Sequence, residues 1–362
     1  MKVSILGAGA GGAAAVAELT LAGHEVTWWN RSAETLTPLL ALGGVAYEGV
    51  LGEGVAIPRL ISADIRVATA GADVAVVALP TFSHAPVARS LAEAGWPAEL
   101  PVVLNPGHTG GALEFAHAFR SVRKDVPPIA EFSTLTYVAR KYQPDRVTIT
   151  GRAKQVRAAA LAGGAAALDA ACKLFPGATP VADVLASGLS NANLVLHPPG
   201  AVLAAAWVEA TGGNFTFYVE AMTPGVARTL RLLDDERLAV ADAFGHRLPN
   251  LIGEMKLIGT VEPSVTDTDD FVAAIAGGEA NKRIKGPSSL QHRYYREDFG
   301  HGLLPFIELA EIAGVATPIA HSLFALAQGL VGTDYRAAGR TAEAMGIAGM
   351  TCTELIDFVR QR

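Results

Sequence analysis

The segment Met1-Lys2-Val3-Ser4-Ile5-Leu6 runs directly into Gly7-Ala8-Gly9-Ala10-Gly11-Gly12 and then into an alanine-rich stretch. An apolar run, a glycine turn and an alanine run in that order read as strand, tight turn and helix. Gly7, Gly9 and Gly12 stand in G-x-G-x-x-G register, and each meets a different demand. Gly7 permits the turn, Gly9 lets backbone approach a pyrophosphate, and Gly12 lets the helix pack closely on the strand. The N–H groups of Ala10 and Gly11 at the helix start, with its partial positive charge, suit phosphate. The expected fold is an α/β Rossmann domain with a doubly wound parallel sheet, binding a dinucleotide.

A second strand, 24–29, ends in Asn30-Arg31-Ser32. An Asp or Glu usually stands here to accept hydrogen bonds from the ribose hydroxyls of NAD. An arginine and small polar groups suit a 2′-phosphate, which a carboxylate would repel. Asn30, Arg31 and Ser32 are therefore cofactor-binding candidates, with NADP(H) preferred and NAD(H) still allowed; the alternative for Arg31 is a solvated loop charge. Further apolar strands at 72–80 and 101–105, and a strand–loop break at 129–134, lead into loops at the carboxyl edge of the sheet, where ligands bind in such folds. Pro80 is placed against the cofactor. His108, Glu131, Ser133 and Thr134 are candidate substrate contacts, though each could equally cap or satisfy local backbone. The run 158–171, broken by glycines and Asp169, reads as a packing helix.

Near residue 180 the alternation of strand and helix ends, and longer helical periods follow. The expected division is a dinucleotide-binding domain over 1–180 and a mainly α-helical substrate and catalytic domain over 181–362. Asn193 and His197 are four apart and would share a helix face, with Pro198 and Pro199 ending or kinking that helix just after His197. Histidine suits proton transfer near neutral pH, yet a core histidine satisfied by hydrogen bonds is the commoner case. In Arg293-Tyr-Tyr-Arg-Glu-Asp298, Arg293 could grip a carboxylate or phosphate and Asp298 could orient a histidine. Local pairing in a charged turn is the plain alternative, and spacing alone does not join Asp298 to His197.

Of the 362 residues 50% are hydrophobic and 18% charged, with a net charge of −6 and no long basic run, which argues against nucleic acid as a partner. No apolar stretch reaches the length of a membrane span, and a strand starting at residue 2 leaves no room for a signal peptide, so a cytoplasmic enzyme is expected. Cys172 and Cys352 lack metal-ligand spacing and are expected as free thiols; no metal site is expected. Aliphatic stretches such as 319–330 suit either a homodimer surface or burial within the domain.

Taken together, these segments resemble the octopine/nopaline-type opine dehydrogenases, the bacterial N-(1-carboxyethyl)-norvaline dehydrogenases among them. The likeness spans the whole chain: the glycine turn, Asn105-Pro-Gly-His-Thr-Gly-Gly-Ala-Leu-Glu-Phe115, Asn193-Leu-Val-Leu-His197-Pro, Arg293 to Asp298, Gly302-Leu-Leu-Pro305 and Asp334-Tyr-Arg336-Ala-Ala-Gly339-Arg340-Thr341. It implies two domains with the site in a cleft, His197 as general acid/base, Asp298 orienting it, Arg293 closing onto the cofactor pyrophosphate, and Asn193 in the same pocket. The implied substrates are an amino acid or amine and a 2-oxo acid such as pyruvate, joined through an imine that the nicotinamide reduces. A ketopantoate reductase or glycerol-3-phosphate dehydrogenase type shares the layout, but resembles lysine-centred sites, and neither the Asn193 nor the Arg293 segment holds a lysine. A non-catalytic NADPH-binding regulator would be expected to lack the His197 and Asp298 pair.

Overall fold

The computed structural model describes residues 1–278 and 281–360. The chain divides into two compact units. The first comprises Met1–Gly107, Gly111–Val184 and Arg360; the second comprises His108–Gly110 and Leu185–Val359. The main change of unit thus lies at 184/185 rather than at 180/181, and the tripeptide His108–Gly110 belongs with the helical unit.

The first unit contains β1 (Lys2–Leu6), β2 (Glu25–Trp29), β3 (Val45–Gly49), β4 (Gly54–Ala56), β5 (Leu60–Ser62), β6 (Val74–Val77), β7 (Val102–Leu104), β8 (Ile129–Phe132), β9 (Tyr137–Gln143), β10 (Arg146–Arg152), β11 (Val156–Ala160) and β12 (Ala178–Pro180). Eight of them form a sheet in the order β12-β11-β8-β7-β6-β1-β2-β5. From β5 to β8 the neighbours are all parallel, and in chain order those six strands read 3-2-1-4-5-6, the dinucleotide-binding arrangement. The order reverses between β1 and β6, where Leu6 pairs with Val77, so the glycine turn and the loop at Pro80 leave the sheet side by side. The strands are buried runs such as Val74–Val77, as expected where a parallel sheet is covered on both faces.

Two features depart from the sequence reading. Residues 158–160 are not helical: Ala158, Ala159 and Ala160 pair antiparallel with Phe132, Glu131 and Ala130, and the helix starts only at Ala165. An alanine run has no period of its own, so pairing with β8 decides its state, and Gly163 and Gly164 make the break. A second sheet, in the order β4-β3-β10-β9, was not anticipated. It explains the helix Ala10–Leu21, which packs on β1 and β2 as well as on β3, β4, β9 and β10. A helix enclosed in this way needs small apolar residues all round, and Ala13, Ala14, Ala15, Val16 and Ala17 are fully buried.

The helical unit is built round Ala192–Leu203, which packs against Pro224–Ala243, Leu251–Ile258, Arg293–Asp298 and Pro318–Val331. Pro198 and Pro199 do not end this helix, contrary to the expectation; it runs four residues past Pro199. The dipeptide removes two helical N–H groups, but Leu194, Val195 and Ala201 are fully buried, and that packing outweighs a local penalty of about 3 kcal/mol per proline. Among the described residues no helix is long and apolar enough to cross a membrane. Both cysteines are free.

The glycines of the turn are separable by experiment. A Cβ on Gly12 would lie 1.9 Å from the Gly7 carbonyl oxygen, whereas one on Gly9 would meet nothing within 4 Å. Chemical denaturation of Gly12→Ala is expected to show a loss of about 1–3 kcal/mol. Gly9→Ala should stay within about 0.5 kcal/mol of the parent and lose dinucleotide binding instead. Equal stability of the two variants would contradict the packing argument.

Candidate active site

The helix Arg293–Asp298 is capped by the His292 side chain, whose Nδ1 accepts from the Tyr294 N–H at 3.3 Å. Tyr294 and Asp298 are one helical turn apart and both buried, so they share the inward face. That face meets His197 on Ala192–Leu203. The Asp298 Oδ2 lies 2.7 Å from His197 Nδ1, and the Tyr294 ring stacks on the imidazole with centroids 4.0 Å apart. The Tyr218 hydroxyl lies 2.8 Å from His197 Nε2 and 3.1 Å from the Tyr294 hydroxyl. The imidazole is only 3% exposed, so both its nitrogens must find partners inside the unit.

These contacts define the proton positions. An ionised Asp298 only accepts, so Nδ1 carries a hydrogen and donates to it. In the neutral ring Nε2 then accepts, and the Tyr218 hydroxyl donates. Burial pushes the Tyr218 phenol well above its usual range, so it remains a neutral hydroxyl. Imidazole, carboxylate and phenol thus form one chain in which His197 can take up a proton at Nε2 while Nδ1 stays bonded to the carboxylate.

Asn193 lies on the same helix, partly exposed, one turn before His197. The Asn191 side chain caps that helix at the Asn193 N–H and donates to the Thr109 hydroxyl at 3.3 Å. Thr109 in turn donates to the Gly188 carbonyl at 3.0 Å, and its own carbonyl accepts from Arg340 at 2.6 Å. These bonds hold His108 at φ +59°, in the left-handed region that disfavours any residue with a Cβ, and nearly fully buried. Its Nε2 has no hydrogen-bond partner among the described residues. Burial lowers its pKa to about 4 against the pull of Glu297 and Asp298. Arg293 begins the same helix as Asp298; its side chain is 59% exposed, with Glu297 at 3.9 Å.

In the first unit the glycine turn presents Ala10 and Gly11 partly exposed at a helix start that no side chain caps. Those N–H groups, and the open space over Gly9, fit a dinucleotide pyrophosphate. Asn30 accepts the Ala8 N–H at 3.2 Å, so it braces the turn. Arg31 and Pro80 are exposed. Ser32 caps the helix Ala33–Leu42 by accepting from the Thr35 N–H at 3.3 Å. Glu131, expected as a substrate contact, is held within the protein. It is fully buried and accepts the Ala112 N–H at 2.7 Å, because the first turn of the helix Gly111–Arg120 needs an acceptor. Thr134 stands partly exposed just past β8.

Three further polar residues have no assigned part in the sequence patterns above. Tyr218 lies outside every motif, and Tyr294, four residues before Asp298, has a spacing that places it on the same helix face. Asn105 bonds Thr136 twice, donating to its hydroxyl at 2.8 Å and accepting its N–H at 3.1 Å.

Known proteins share this architecture. The family described as NAD/NADP octopine/nopaline dehydrogenase, alpha-helical domain, matches residues 180–331, and the ketopantoate reductase PanE/ApbA family matches residues 3–105. An opine dehydrogenase of Arthrobacter sp. (strain 1C) is 34% identical over 350 residues, covering 96% of each chain. The chain belongs to the opine dehydrogenase family. Octopine dehydrogenase of Pecten maximus is 25% identical, over 88% of this chain and 84% of its own. The structure of an octopine dehydrogenase with NADH and L-arginine superposes with a TM-score of 0.79 at 22% identity, covering 98% of each chain. This family member is an NAD(P)-dependent oxidoreductase, and the Rossmann and helical halves found here are those of the family.

His108 and His301 supply a pH test. Both are buried, and burial lowers their pKa values from 6.5 to about 4 and about 3. The folded chain therefore binds fewer protons than the unfolded chain below pH 6.5, so stability is full above that value and falls as pH drops towards 4. Denaturation between pH 7 and pH 5 should show this loss, and His108→Asn, which tolerates the left-handed backbone, should lessen its slope by up to about 1.4 kcal/mol per pH unit. Parallel slopes for both proteins would rule out a neutral buried His108.

Proposed function

We propose that this opine dehydrogenase joins the amino group of an amino acid or amine to a 2-oxo acid such as pyruvate and reduces the imine, with His197 as general acid/base and NADPH as the preferred reductant. The observation carrying this reading is the buried His197, bonded on one nitrogen to Asp298 and on the other to Tyr218. A lysine-centred reductase chemistry has no counterpart in these segments.

Attack of a neutral amine on the keto carbon gives a carbinolamine, and loss of water from it gives the imine. His197 acts in both steps: Nε2 carries one N–H proton of the attacking amine to the alkoxide, completing the carbinolamine, and then passes a second proton, taken from solvent, to the hydroxyl, which leaves as water while the nitrogen keeps its remaining hydrogen as an iminium. Asp298, bonded to Nδ1, keeps the ring oriented in both states and offsets its positive charge when protonated. Tyr218 follows the ring, donating to Nε2 when it is bare and accepting from it when it is protonated. Bound NAD(P)H supplies the hydride to the imine carbon. Arg293, exposed on the helix that carries Asp298, is proposed to bind the cofactor pyrophosphate, and Asn193, His108 and Thr134 to contact substrate.

The preference for NADPH rests on Asn30-Arg31-Ser32 at the end of β2. No carboxylate stands there, and the Arg31 guanidinium is exposed beside Asn30, suited to a 2′-phosphate.

The decisive assay is NADPH oxidation with pyruvate against a panel of amino acids and simple amines, with mass detection of the coupled product. Turnover should need both substrates; oxidation with one alone would sink the reading. His197→Ala should lose about 10²–10⁴-fold in kcat while still binding NADPH by fluorescence titration, and an undiminished kcat would remove His197 from the chemistry. Arg31→Ala should weaken NADPH by about tenfold or more and leave NADH nearly unchanged. Equal losses would detach Arg31 from the 2′-phosphate.

A further inference from the structure

Asn30 is one of two side chains bonded to Ala8, the residue between the first two glycines of the turn. Asn30, just after β2, accepts the Ala8 N–H at 3.2 Å. Lys141, on β9, donates from Nζ to the Ala8 carbonyl at 3.3 Å. The two faces of one peptide segment are thus held from the two different sheets of the first unit. Leu135, just before β9, packs so closely on the turn that a Cβ on Gly11 would lie 2.9 Å from its Cδ1. Residues 135–141 therefore run alongside the whole phosphate-binding turn.

The ammonium is poorly compensated in this position. Lys141 is half-buried, and desolvation lowers its pKa, with Asp145 opposing only across space. Among the described residues no carboxylate stands within ion-pair distance of it. Its one hydrogen bond, to a neutral carbonyl, lies at the long end of the normal range. A partly desolvated cation held so loosely gains much from an anion that completes its coordination. The anion suited to this turn is a phosphate, and the dinucleotide offers two kinds, the pyrophosphate and the adenosine 2′-phosphate.

We propose that Lys141 is the second cation of the 2′-phosphate site, acting with Arg31. This rests on the NADPH preference argued above. Lys141 touches Ala8 and not the helix start at Ala10 and Gly11, where the pyrophosphate fits. Ala8 is also the residue tied to Asn30, next to Arg31, at the end of β2 that meets the ribose. The choice between NADP and NAD is then set by β9 as well as by β2.

Two fragments separate the phosphates: 2′,5′-ADP carries the 2′-phosphate without a pyrophosphate, and 5′-ADP the reverse. Isothermal titration of the whole protein with each is expected to show Lys141→Met weakening 2′,5′-ADP by about tenfold or more and 5′-ADP by less than about twofold. Lys141→Arg should retain most of the 2′,5′-ADP affinity, which separates lost charge from lost packing. Equal weakening of both fragments would assign Lys141 to the pyrophosphate and overturn the proposal, as would no weakening of either. A parent protein that binds NADH and 5′-ADP at least as well as NADPH and 2′,5′-ADP would instead defeat the NADPH preference, and this assignment with it.

Discussion

The contact on which the first unit depends is between Gly12 and the Gly7 carbonyl. Adding one carbon at Gly12 would place it 1.9 Å from that oxygen, so the helix lies as close to β1 as backbone permits. Two consequences follow. The helix start is brought directly to the carboxyl end of β1, at the reversal of strand order, where its free N–H groups meet a phosphate. And a helix so close to one sheet leaves a thin layer that small residues fill, allowing the second sheet to pack on its other side. The alanines of Ala10–Leu21 thus serve both sheets, and β9 of the second sheet brings Lys141 to the turn that the first sheet forms.

The helical unit rests on a different constraint, the burial of a titratable ring. An imidazole sealed from water needs a partner on each nitrogen, and Asp298 and Tyr218 meet that need with opposite hydrogen-bond polarity. The same arrangement that satisfies the core suits the proposed proton transfer at Nε2, since the phenol can donate or accept. The structural account of His197 and its proposed chemistry therefore use the same bonds. His108 contrasts with it: its backbone is held in a disfavoured region by the bonds around Thr109, and its Nε2 gains nothing within the protein. Strain and an unsatisfied buried nitrogen coincide in this one residue, which suits the substrate contact proposed for it.

What the sequence disclosed and what it withheld separate along physical lines. The glycine turn, β1, β2, β6 and β7 were readable because their residues carry local signals: glycine spacing and apolar runs of strand length. The second sheet was not, because β3 and β4 are short and its four strands take their pairing from one another, although β10 alternates, with Val147 and Ile149 buried between polar neighbours. The alanine run at 158–160 could have been either element, and only its partner β8 decides it. Pro198 and Pro199 misled in the other direction, since a strong local signal yielded to burial of the helix around them.

The site shows the same division more sharply. His197 and Asp298 were nameable as types suited to proton transfer, yet 101 residues separate them, and only the family likeness linked them before the fold did. Tyr218 had no signal at all, because a phenol acquires meaning only from the atom its hydroxyl reaches. Glu131 shows why polarity at a strand end is a weak guide. A carboxylate buried beside a helix start has a structural use at hand in the nearest unpaired N–H, here that of Ala112. Lys141 is the converse case: its residue type and neighbours carry no local signal, and among the described residues its half-buried charge has only a carbonyl to answer it. Electrostatic incompleteness, more than residue type, is what distinguishes a side chain waiting for a ligand from one already used by the fold.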